Sequence, residues 1–448
     1  MPAAWSQRMV ANISDPEKWA WCADRAAVAV AAALPWSTTG TIVLIAIWLV
    51  TRIPMRDFAA LRRELFTAAG GLPVALCVFG VLGMLWSAAP LAERVNGLSS
   101  YYKLLAIPLL LAQFRCFEPG KVRRTECGIW VLAGFLISCT ILLVVSWGLV
   151  LLPDLPWRGR NPDIIGVPVK DRITQSTLFV LCVFGLIESA LVAWENARRL
   201  LVPGLLLLAL IFLANVVFVA TSRTALVVVP VLLLLFGARR FGWRGLAGAA
   251  LAIAVLAIAA WQASPSLRQR VTAVVQEARD YQPGGVRTST GERLEFWRRS
   301  IMFIADAPVF GHGTGSIPQQ FRRSDVGQTG MAGQAPRNPH NQLFAVAIEI
   351  GLIGAALLVA MWMAHLRLFA ASGLATGIGL VVVVQNIVSS LFNSHLFDFT
   401  EGWTYVWGVG VIGGMILRAP AVERDDPNTK PLAARRVCMS LDKPGRKR

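Results

Sequence analysis

Twelve long apolar segments constrain the fold of this chain more than any other feature. A helix that crosses a hydrocarbon core of about 30 Å needs roughly 20 apolar residues, or somewhat fewer where flanking side chains reach the interface. The sequence therefore predicts an all-α polytopic membrane protein with about 12 transmembrane helices. The segments lie at residues 22–36, 38–51, 71–86, 99–116, 128–152, 174–195, 201–220, 222–237, 244–262, 341–366, 373–392 and 402–418.

Composition and charge support a membrane protein and argue against a nucleic-acid partner. The chain is 55% hydrophobic and 15% charged, which is too apolar for a soluble enzyme of this size. Its net charge of +17 comes from short basic clusters between the apolar segments. Such clusters are typical of cytoplasmic loops that face an anionic lipid leaflet.

The distribution of basic residues predicts the orientation of the chain. The short loops after even-numbered segments carry 14 Lys and Arg residues, and those after odd-numbered segments carry 6. By the positive-inside rule, both termini are cytoplasmic and the long polar segment 263–340 is periplasmic. We therefore divide the chain into helices 1–9 (residues 1–262), a periplasmic helical cap (263–340), helices 10–12 (341–418) and a basic cytoplasmic tail (419–448).

The polar segment 263–340 carries helix signals of its own. Ser264 and Pro265 make a good helix start, and Ser289 with Glu292 three residues later fits a capping box. An apolar stripe follows at helical spacing from Leu294 to Ile304. The segment also carries ten basic and six acidic residues, an excess that would attract polyanionic lipid headgroups.

Arg223 stands at the start of a predicted helix, at the periplasmic boundary of the membrane. With Thr221 or Ser222 as N-cap, free backbone N–H groups, the helix dipole and the guanidinium would converge there. This arrangement suits a phosphate or pyrophosphate. The alternative is an arginine that reaches for lipid headgroups, which is common at the ends of transmembrane helices.

His340 stands at a second helix start on the same side of the membrane. Asn338 is the expected N-cap and Pro339 the first helical residue, so His340 would lie in the first turn of the tenth span. A helix N-terminus disfavours imidazolium and keeps histidine able to accept a proton near pH 7. The alternative is a histidine that only caps the helix or makes a structural hydrogen bond.

Further residues are candidates for contact with phosphate groups. Arg293 and Trp297 lie one helical turn apart and pair a cation with an aromatic face. The other candidates in the cap are Arg298 and Arg337, and Arg160 and Arg172 belong to the loop 153–173. For most of these arginines, a solvated surface position is the alternative.

Three other features predict structural roles or none. The glycine-rich run 311–315 lacks the lysine of a nucleotide-binding loop and is expected to form a turn. The histidines lack metal-ligand spacing, and Asp398 with Glu401 makes a weak cation site, so we expect no cofactor and metal-independent chemistry. Glu349, deep in the tenth span, is expected to make a structural hydrogen bond.

The chain resembles the O-antigen ligase family between residues 200 and 360. Four ordered runs carry the resemblance: Thr221–Leu226, Gly291–Trp297, Asp306–Gly313, and His340–Asn341 followed by Glu349–Gly354. The family shares its signature domain with some O-antigen polymerases and bacterial protein O-oligosaccharyltransferases. Pro339 is a departure, because relatives often carry a second histidine there.

The resemblance implies a membrane glycosyltransferase that transfers a glycan from undecaprenyl pyrophosphate to the lipid A core oligosaccharide at the periplasmic face of the inner membrane. It implies about twelve helices, a periplasmic cap and no metal. Carried over to this sequence, Arg223 and Arg293 would bind and stabilise the pyrophosphate, and His340 would activate the acceptor hydroxyl.

Several alternatives remain from the sequence. A polymerase of the same superfamily would use a second lipid-linked glycan as acceptor, and a protein oligosaccharyltransferase would modify a protein. A lipid or glycan transporter also fits twelve spans, but it should carry its charged residues near the membrane midplane rather than at the outer boundary.

Overall fold

A computed structural model describes residues 16–55, 57–115, 123–152, 165–280, 288–324 and 338–417, and these ranges contain helices and no strand. The predicted cytoplasmic tail lies outside them. The α-helices are α1 (Pro16–Ala33), α2 (Thr38–Arg52), α3 (Phe58–Leu65), α4 (Ala68–Trp86), α5 (Leu91–Leu98), α6 (Ala106–Phe114), α7 (Arg123–Leu151) and α8 (Arg172–Glu195). They continue with α9 (Val202–Phe218), α10 (Arg223–Ala263), α11 (Pro265–Arg279), α12 (Ser289–Asp306), α13 (Ile317–Ser324), α14 (Gln342–Leu368), α15 (Leu374–Ser390) and α16 (Phe399–Ile416).

The all-α membrane architecture is confirmed, because every predicted apolar segment coincides with helical structure. Within the described ranges, seven helical segments are long and apolar enough to cross a membrane. They are Thr38–Met55, Ala68–Trp86, Cys127–Leu151, Arg172–Glu195, Arg199–Phe218, Arg223–Ala263 and Gln342–Leu368. The remaining predicted spans correspond to shorter or more polar helices, including the apolar helix Leu374–Ser390.

The fourth predicted span is not one continuous helix. A 3₁₀ helix covers Tyr102–Leu105, and α6 follows for only nine residues. Nine residues of α-helix rise about 14 Å, which is too short to cross a bilayer alone. Lys103 lies in the 3₁₀ helix, and its buried ammonium group donates to the backbone oxygens of Phe397 at 2.8 Å and Asp398 at 2.9 Å.

The 41-residue helix α10 consists of two arms that fold back on each other. Gly242 has non-helical angles, φ 61° and ψ −144°. A Cβ atom on Gly237 would lie 2.3 Å from the carbonyl oxygen of Gly245, a distance that a straight helix cannot give to residues eight positions apart. The two arms match the separate eighth and ninth spans that the sequence predicts.

Helices α8 and α16 form the centre of the membrane body. Both are buried along most of their length. Around them pack α9 against α8, α6 against α16, and α15 against both. Helix α14 packs on α4 and on α15, so its start faces the same side of the body as the ends of α4 and α15. We call this side the cap side.

Helices α11, α12 and α13 lie in the segment 263–340, which we call the cap. Helix α12 packs on α14 through a cluster that joins Phe303 and Phe321 to Ile348. Arg322 Nη2 in α13 donates to both carboxylate oxygens of Glu93 in α5. The N-cap of α12 is Thr288, which accepts from Gly291 N at 3.1 Å, so the predicted cap at Ser289 is wrong by one residue.

The glycine run 311–315 forms the predicted turn, and it inserts between α4 and α14. Gly311, Gly313 and Gly315 all have positive φ angles. Thr314 donates from its backbone to Gly83 O at 3.1 Å, and Gly315 N donates to Glu349 Oε1 at 2.8 Å. The other carboxylate oxygen of Glu349 accepts from the Tyr101 hydroxyl at 2.8 Å, which confirms a structural role for this glutamate.

Candidate active site

Arg223 begins helix α10 on the cap side. Of the two N-caps that the sequence allows, Thr221 and Ser222, the structure selects Ser222, because its Oγ accepts from Ala225 N at 3.1 Å. The Arg223 guanidinium donates to Thr290 Oγ1 at 2.8 Å and pairs with Glu277 at 3.4 Å. A single arginine of the membrane body therefore contacts the helix α11 and the start of α12 in the cap.

Glu277 is the carboxylate that faces this arginine. Its Oε2 also accepts from the backbone N of Thr290 at 2.9 Å and from the Thr290 hydroxyl at 2.5 Å. Burial by itself would raise the pKa of Glu277, but the hydrogen bonds from Thr290 and the charge of Arg223 outweigh it and lower the pKa. Glu277 is therefore an anion at neutral pH and offsets one positive charge.

Arg293 brings a second guanidinium to the same place. It lies in the first turns of α12, half-buried, with no hydrogen-bond partner among the described residues. Burial and then the charge of Arg223 lower the pKa of Arg293, while Glu277 opposes that shift. Glu277 pairs with Arg223 and acts on Arg293 only through its charge, so it offsets the two positive charges in part. The remaining positive charge suits a phosphate-bearing anion.

His340 does not lie within the first turn of a helix. Helix α14 starts at Gln342, and its N-cap is Asn341, whose Oδ1 accepts from Leu343 N at 2.9 Å and Phe344 N at 3.2 Å. The predicted cap at Asn338 is therefore wrong. Asn338 instead accepts from His340 N at 2.8 Å, and His340 takes a left-handed backbone with φ 56°. For a residue other than glycine, this conformation is strained and is often found at functional sites.

The hydrogen bonds around His340 determine which ring nitrogen carries the proton. The oxygen of Asn338 is identified by the backbone N–H that it accepts, so its amide nitrogen is the atom that donates to Asn393 Oδ1 at 3.1 Å. The same Oδ1 lies 2.9 Å from His340 Nδ1. An amide oxygen only accepts, so Nδ1 carries the hydrogen and Nε2 carries the lone pair.

Helix α12 covers the other side of the His340 ring. Phe296 stacks on it with ring centroids 6.0 Å apart and an interplanar angle of 15°. Trp297 Nε1 donates to the backbone oxygen of His340 at 3.4 Å. Burial and the positive charge of Arg293 lower the pKa of His340, although the hydrogen bond with Asn393 opposes this shift. His340 is therefore neutral near pH 7, and burial is the largest cause.

An acidic cluster lies behind Asn393. Asn393 Nδ2 donates to Asp398 Oδ2 at 3.0 Å, and Glu401 Oε1 accepts from Thr174 Oγ1 at 2.6 Å. Each of His395, Asp398 and Glu401 has one ligand atom within 4.8 Å of the others, so these three could hold a metal ion. Both ring nitrogens of His395 lack a hydrogen-bond partner among the described residues. The ammonium group of Lys103, bonded to the backbone of Asp398, already places a positive charge beside them.

The structure brings together some of the sequence candidates and separates others. Arg223, Arg293, Trp297 and His340 converge between the membrane body and the cap. Arg172 begins α8, whose N-cap Asp171 is bonded to Thr174. Arg298 is 49% exposed and pairs with Glu295 on the surface of α12. Arg160 and Arg337 lie outside the described residues.

Three contributors to the site are absent from the sequence interpretation. Glu277 and Thr290 hold Arg223, and Asn393 orients His340. Asn393 lies 53 positions from His340 along the chain, so no local spacing could reveal the contact. The weak signal was its place in a polar run, Asn393–His395, between two apolar helices.

A comparison with protein families decides what this arrangement is related to. The family profile described as O-antigen ligase matches residues 208–359. Residues 208–359 are therefore similar to the O-antigen ligase domain. This domain is the shared signature of O-antigen ligases, polymerases and O-oligosaccharyltransferases. No curated protein matches the chain significantly. Arg223, Arg293 and His340 all lie within the matched residues 208–359, whereas Asn393 and Asp398 lie beyond them.

Proposed function

We propose that this protein is an O-antigen ligase. It would move a polysaccharide from undecaprenyl pyrophosphate to the lipid A core oligosaccharide at the periplasmic face of a bacterial inner membrane. The observation that carries the proposal is a neutral histidine, with its Nε2 lone pair available, near two arginines whose positive charge a single carboxylate, Glu277, offsets only in part.

The two arginines suit a pyrophosphate leaving group. Arg223 is held by Thr290 and Glu277, so its guanidinium is oriented before a ligand arrives. Arg293 keeps its donors available. When the bond to the sugar breaks, negative charge grows on the pyrophosphate, and preorganised cations stabilise that charge most. In this way the protein itself supplies the positive charge, and we propose that transfer needs no metal ion.

His340 would act as general base in a single displacement. A hydroxyl oxygen of the acceptor sugar attacks the anomeric carbon of the donor glycan, and the bond from that carbon to the pyrophosphate oxygen breaks. The hydroxyl proton passes to Nε2 of His340, and undecaprenyl pyrophosphate leaves as the anion. Nδ1 remains bonded to Asn393, so the imidazolium that forms keeps its orientation.

The location of the site fits substrates that lie in a membrane. The site is between the cap and the cap-side ends of the membrane helices, where the headgroup of a prenyl carrier would be accessible under this proposal. The positive-inside distribution of the loops supports a periplasmic cap. Trp297 and Phe296 would offer aromatic faces beside the reacting sugars.

Two related activities and one unrelated activity are the rivals. A polymerase of the same superfamily would extend a chain on the prenyl carrier, and a protein O-oligosaccharyltransferase would glycosylate a hydroxyl of a protein. A transporter would move the lipid-linked glycan without changing it.

Transfer with purified protein separates these activities. The assay supplies an undecaprenyl pyrophosphate-linked glycan with two competing acceptors, lipid A core and a second lipid-linked glycan, with and without a chelator. We expect product on lipid A core only, at the same rate with chelator. Chains that lengthen on the prenyl carrier would favour the polymerase. Loss of transfer with chelator would contradict the metal-independent mechanism and draw attention to His395, Asp398 and Glu401.

A further inference from the structure

A short apolar loop of the cap lies against the membrane-facing sides of two membrane helices. The loop comprises Pro308, Val309 and Phe310, and we call it the apolar tip. Val309 is 51% exposed and Phe310 is 56% exposed. Large apolar side chains exposed together usually mark a surface that contacts something apolar.

Helix α4 flanks the tip on one side. The Phe310 ring lies 6.2 Å from the ring of Trp86 and 6.5 Å from that of Phe79, and Trp86 Nε1 donates to Phe310 O at 3.2 Å. Trp86 is the last residue of α4, and Phe79 lies about two helical turns, or roughly 10 Å, farther into the membrane body. Phe310 therefore reaches below the cap-side end of this transmembrane helix.

Helix α14 flanks the tip on the other side. The helix is interrupted at Ile350 and Gly351, and the backbone N of Leu352 donates to Pro308 O at 2.8 Å. A Cβ atom on Gly351 would lie 2.0 Å from Val309 O, so only glycine allows this approach. Leu352 is about 15 Å along the helix from its start. The tip therefore contacts α14 well below the cap-side start of that helix.

The polar backbone that follows the tip is buried in protein. His312 N donates to Ile348 O and Gly313 N donates to Glu349 O, both at 2.8 Å. The side chain of Thr314 donates to Gly80 O at 2.5 Å. Non-helical backbone is tolerated at membrane depth only where protein or water satisfies its polar groups. The loop meets this condition on its inner side, while the tip presents apolar side chains outward.

We infer that the apolar tip is immersed in the bilayer and contacts the acyl chains of the lipid leaflet on the cap side. Its surface is continuous with exposed apolar residues of both flanking helices, Leu82 and Leu85 on α4, and Leu352 and Ile353 on α14. Asp306 is exposed at the end of α12, so the immersed part is the tip and not the helix before it. The apolar tip thus anchors the cap in the lipid leaflet.

Photo-crosslinking tests this contact. p-Benzoylphenylalanine is placed at position 310, at Leu85 as a lipid-facing control and at Arg298 as a water-facing control of the same cap. Each variant is reconstituted into phospholipid nanodiscs, irradiated and examined by mass spectrometry. We expect lipid adducts at 310 in a yield close to that at 85 and at least about tenfold above that at 298.

Two results would overturn the inference. One is a yield at 310 that matches the yield at 298 while 85 forms lipid adducts, and the other is an adduct at 310 with a second protein chain. A stability measurement gives an independent check, because Phe310→Asp should lower the melting temperature of the reconstituted protein while Phe310→Leu should not. Equal melting temperatures of these two variants would also contradict the contact. Neither measurement depends on glycan transfer.

Discussion

The two sides of His340 differ in charge, exposure and hydrogen bonding. On one side lie Arg223 and Arg293, both partly accessible and with more positive charge than Glu277 offsets. On the other side lie Asn393 and the buried cluster of Asp398 and Glu401. The first side is suited to reversible binding of an anionic ligand. The second side holds the ring in place through Nδ1 and leaves the lone pair of Nε2 available.

This comparison shows how the surroundings of His340 determine which of its ring nitrogens carries the proton. An imidazole has two chemically similar nitrogens, and only its hydrogen-bond partners make them different. Here the backbone N–H of His340 identifies the oxygen of the Asn338 amide, so the Asn338 nitrogen donates to the oxygen of Asn393. Because that oxygen can only accept, Nδ1 of His340 must be the donor. The acidic cluster accepts a hydrogen bond from the Asn393 side chain, and Asn393 in turn accepts from the imidazole.

The largest expected effect follows from removal of the base. We expect His340→Gln to reduce the rate of glycan transfer by about 10²- to 10⁴-fold, the usual contribution of a general base. Binding of the lipid-linked donor should stay within about twofold, because the arginines are untouched. Transfer and donor binding are measured on the same preparation. Near-normal transfer by this variant would remove His340 from the mechanism and leave no reason to distinguish the two sides.

The arginine side should show the next largest effect. Arg293→Lys keeps a positive charge but loses the planar fork of donors, so we expect transfer to fall by about 10²-fold. The transfer rate of Arg293→Gln should be lower still, because this variant also loses the positive charge. The matched control is Arg323→Gln, which alters a cap arginine in α13 that lies outside the proposed site. Rates for all three variants are compared at saturating donor, and an unchanged rate for Arg293→Gln would contradict a role in leaving-group stabilisation.

The opposite side should affect orientation and proton affinity more than binding. We expect Asn393→Leu to lower transfer by about 10- to 100-fold, as is usual when the partner that orients a histidine is lost. The hydrogen bond that His340 Nδ1 donates to Asn393 raises the pKa of His340, so its removal should lower that pKa further. The pH–rate profile checks this, because a merely destabilised protein would lose rate without a shift.

The sign of this pH dependence can be worked out. His340 must be neutral to accept a proton, and its pKa lies below the ordinary value of 6.5. Transfer by the native protein should therefore be independent of pH near neutrality and should fall only in the acidic range. In Asn393→Leu the acid limb should move to lower pH. In Asn393→Asp a carboxylate facing Nδ1 should move it to higher pH. If the acid limb of the pH–rate profile lay at the same pH in all three proteins, the orientation assigned to His340 would be contradicted.

Arg298 should give the smallest effect. It is exposed and pairs with Glu295, so Arg298→Gln should change transfer by less than about twofold. A large loss of activity in this variant would extend the functional arginine surface beyond the half-buried pair, and the contrast between the two sides of His340 would have to be redrawn.

Much of the fold was predictable, because apolar segments of membrane length leave few alternatives to helices. The break before α6 was not, because it coincides with contacts of Lys103 to the backbone oxygens of Phe397 and Asp398, which lie 294 and 295 positions away. In the candidate site, Arg223 and its cap Ser222 followed from local rules. The start of α14 did not, because Asn338 and Asn341 are both good caps and only contacts with Asn393 and Ser394 engage Asn338 elsewhere.

The left-handed backbone of His340 has a consequence for how this position balances folding against chemistry. A side chain with a Cβ atom costs about 1 kcal/mol or more in this conformation, and glycine or asparagine would occupy it with less strain. If the free energy of folding alone determined the residue, histidine would be a poor choice at position 340. The residue that makes the fold slightly less stable is also the one whose imidazole can take up a proton.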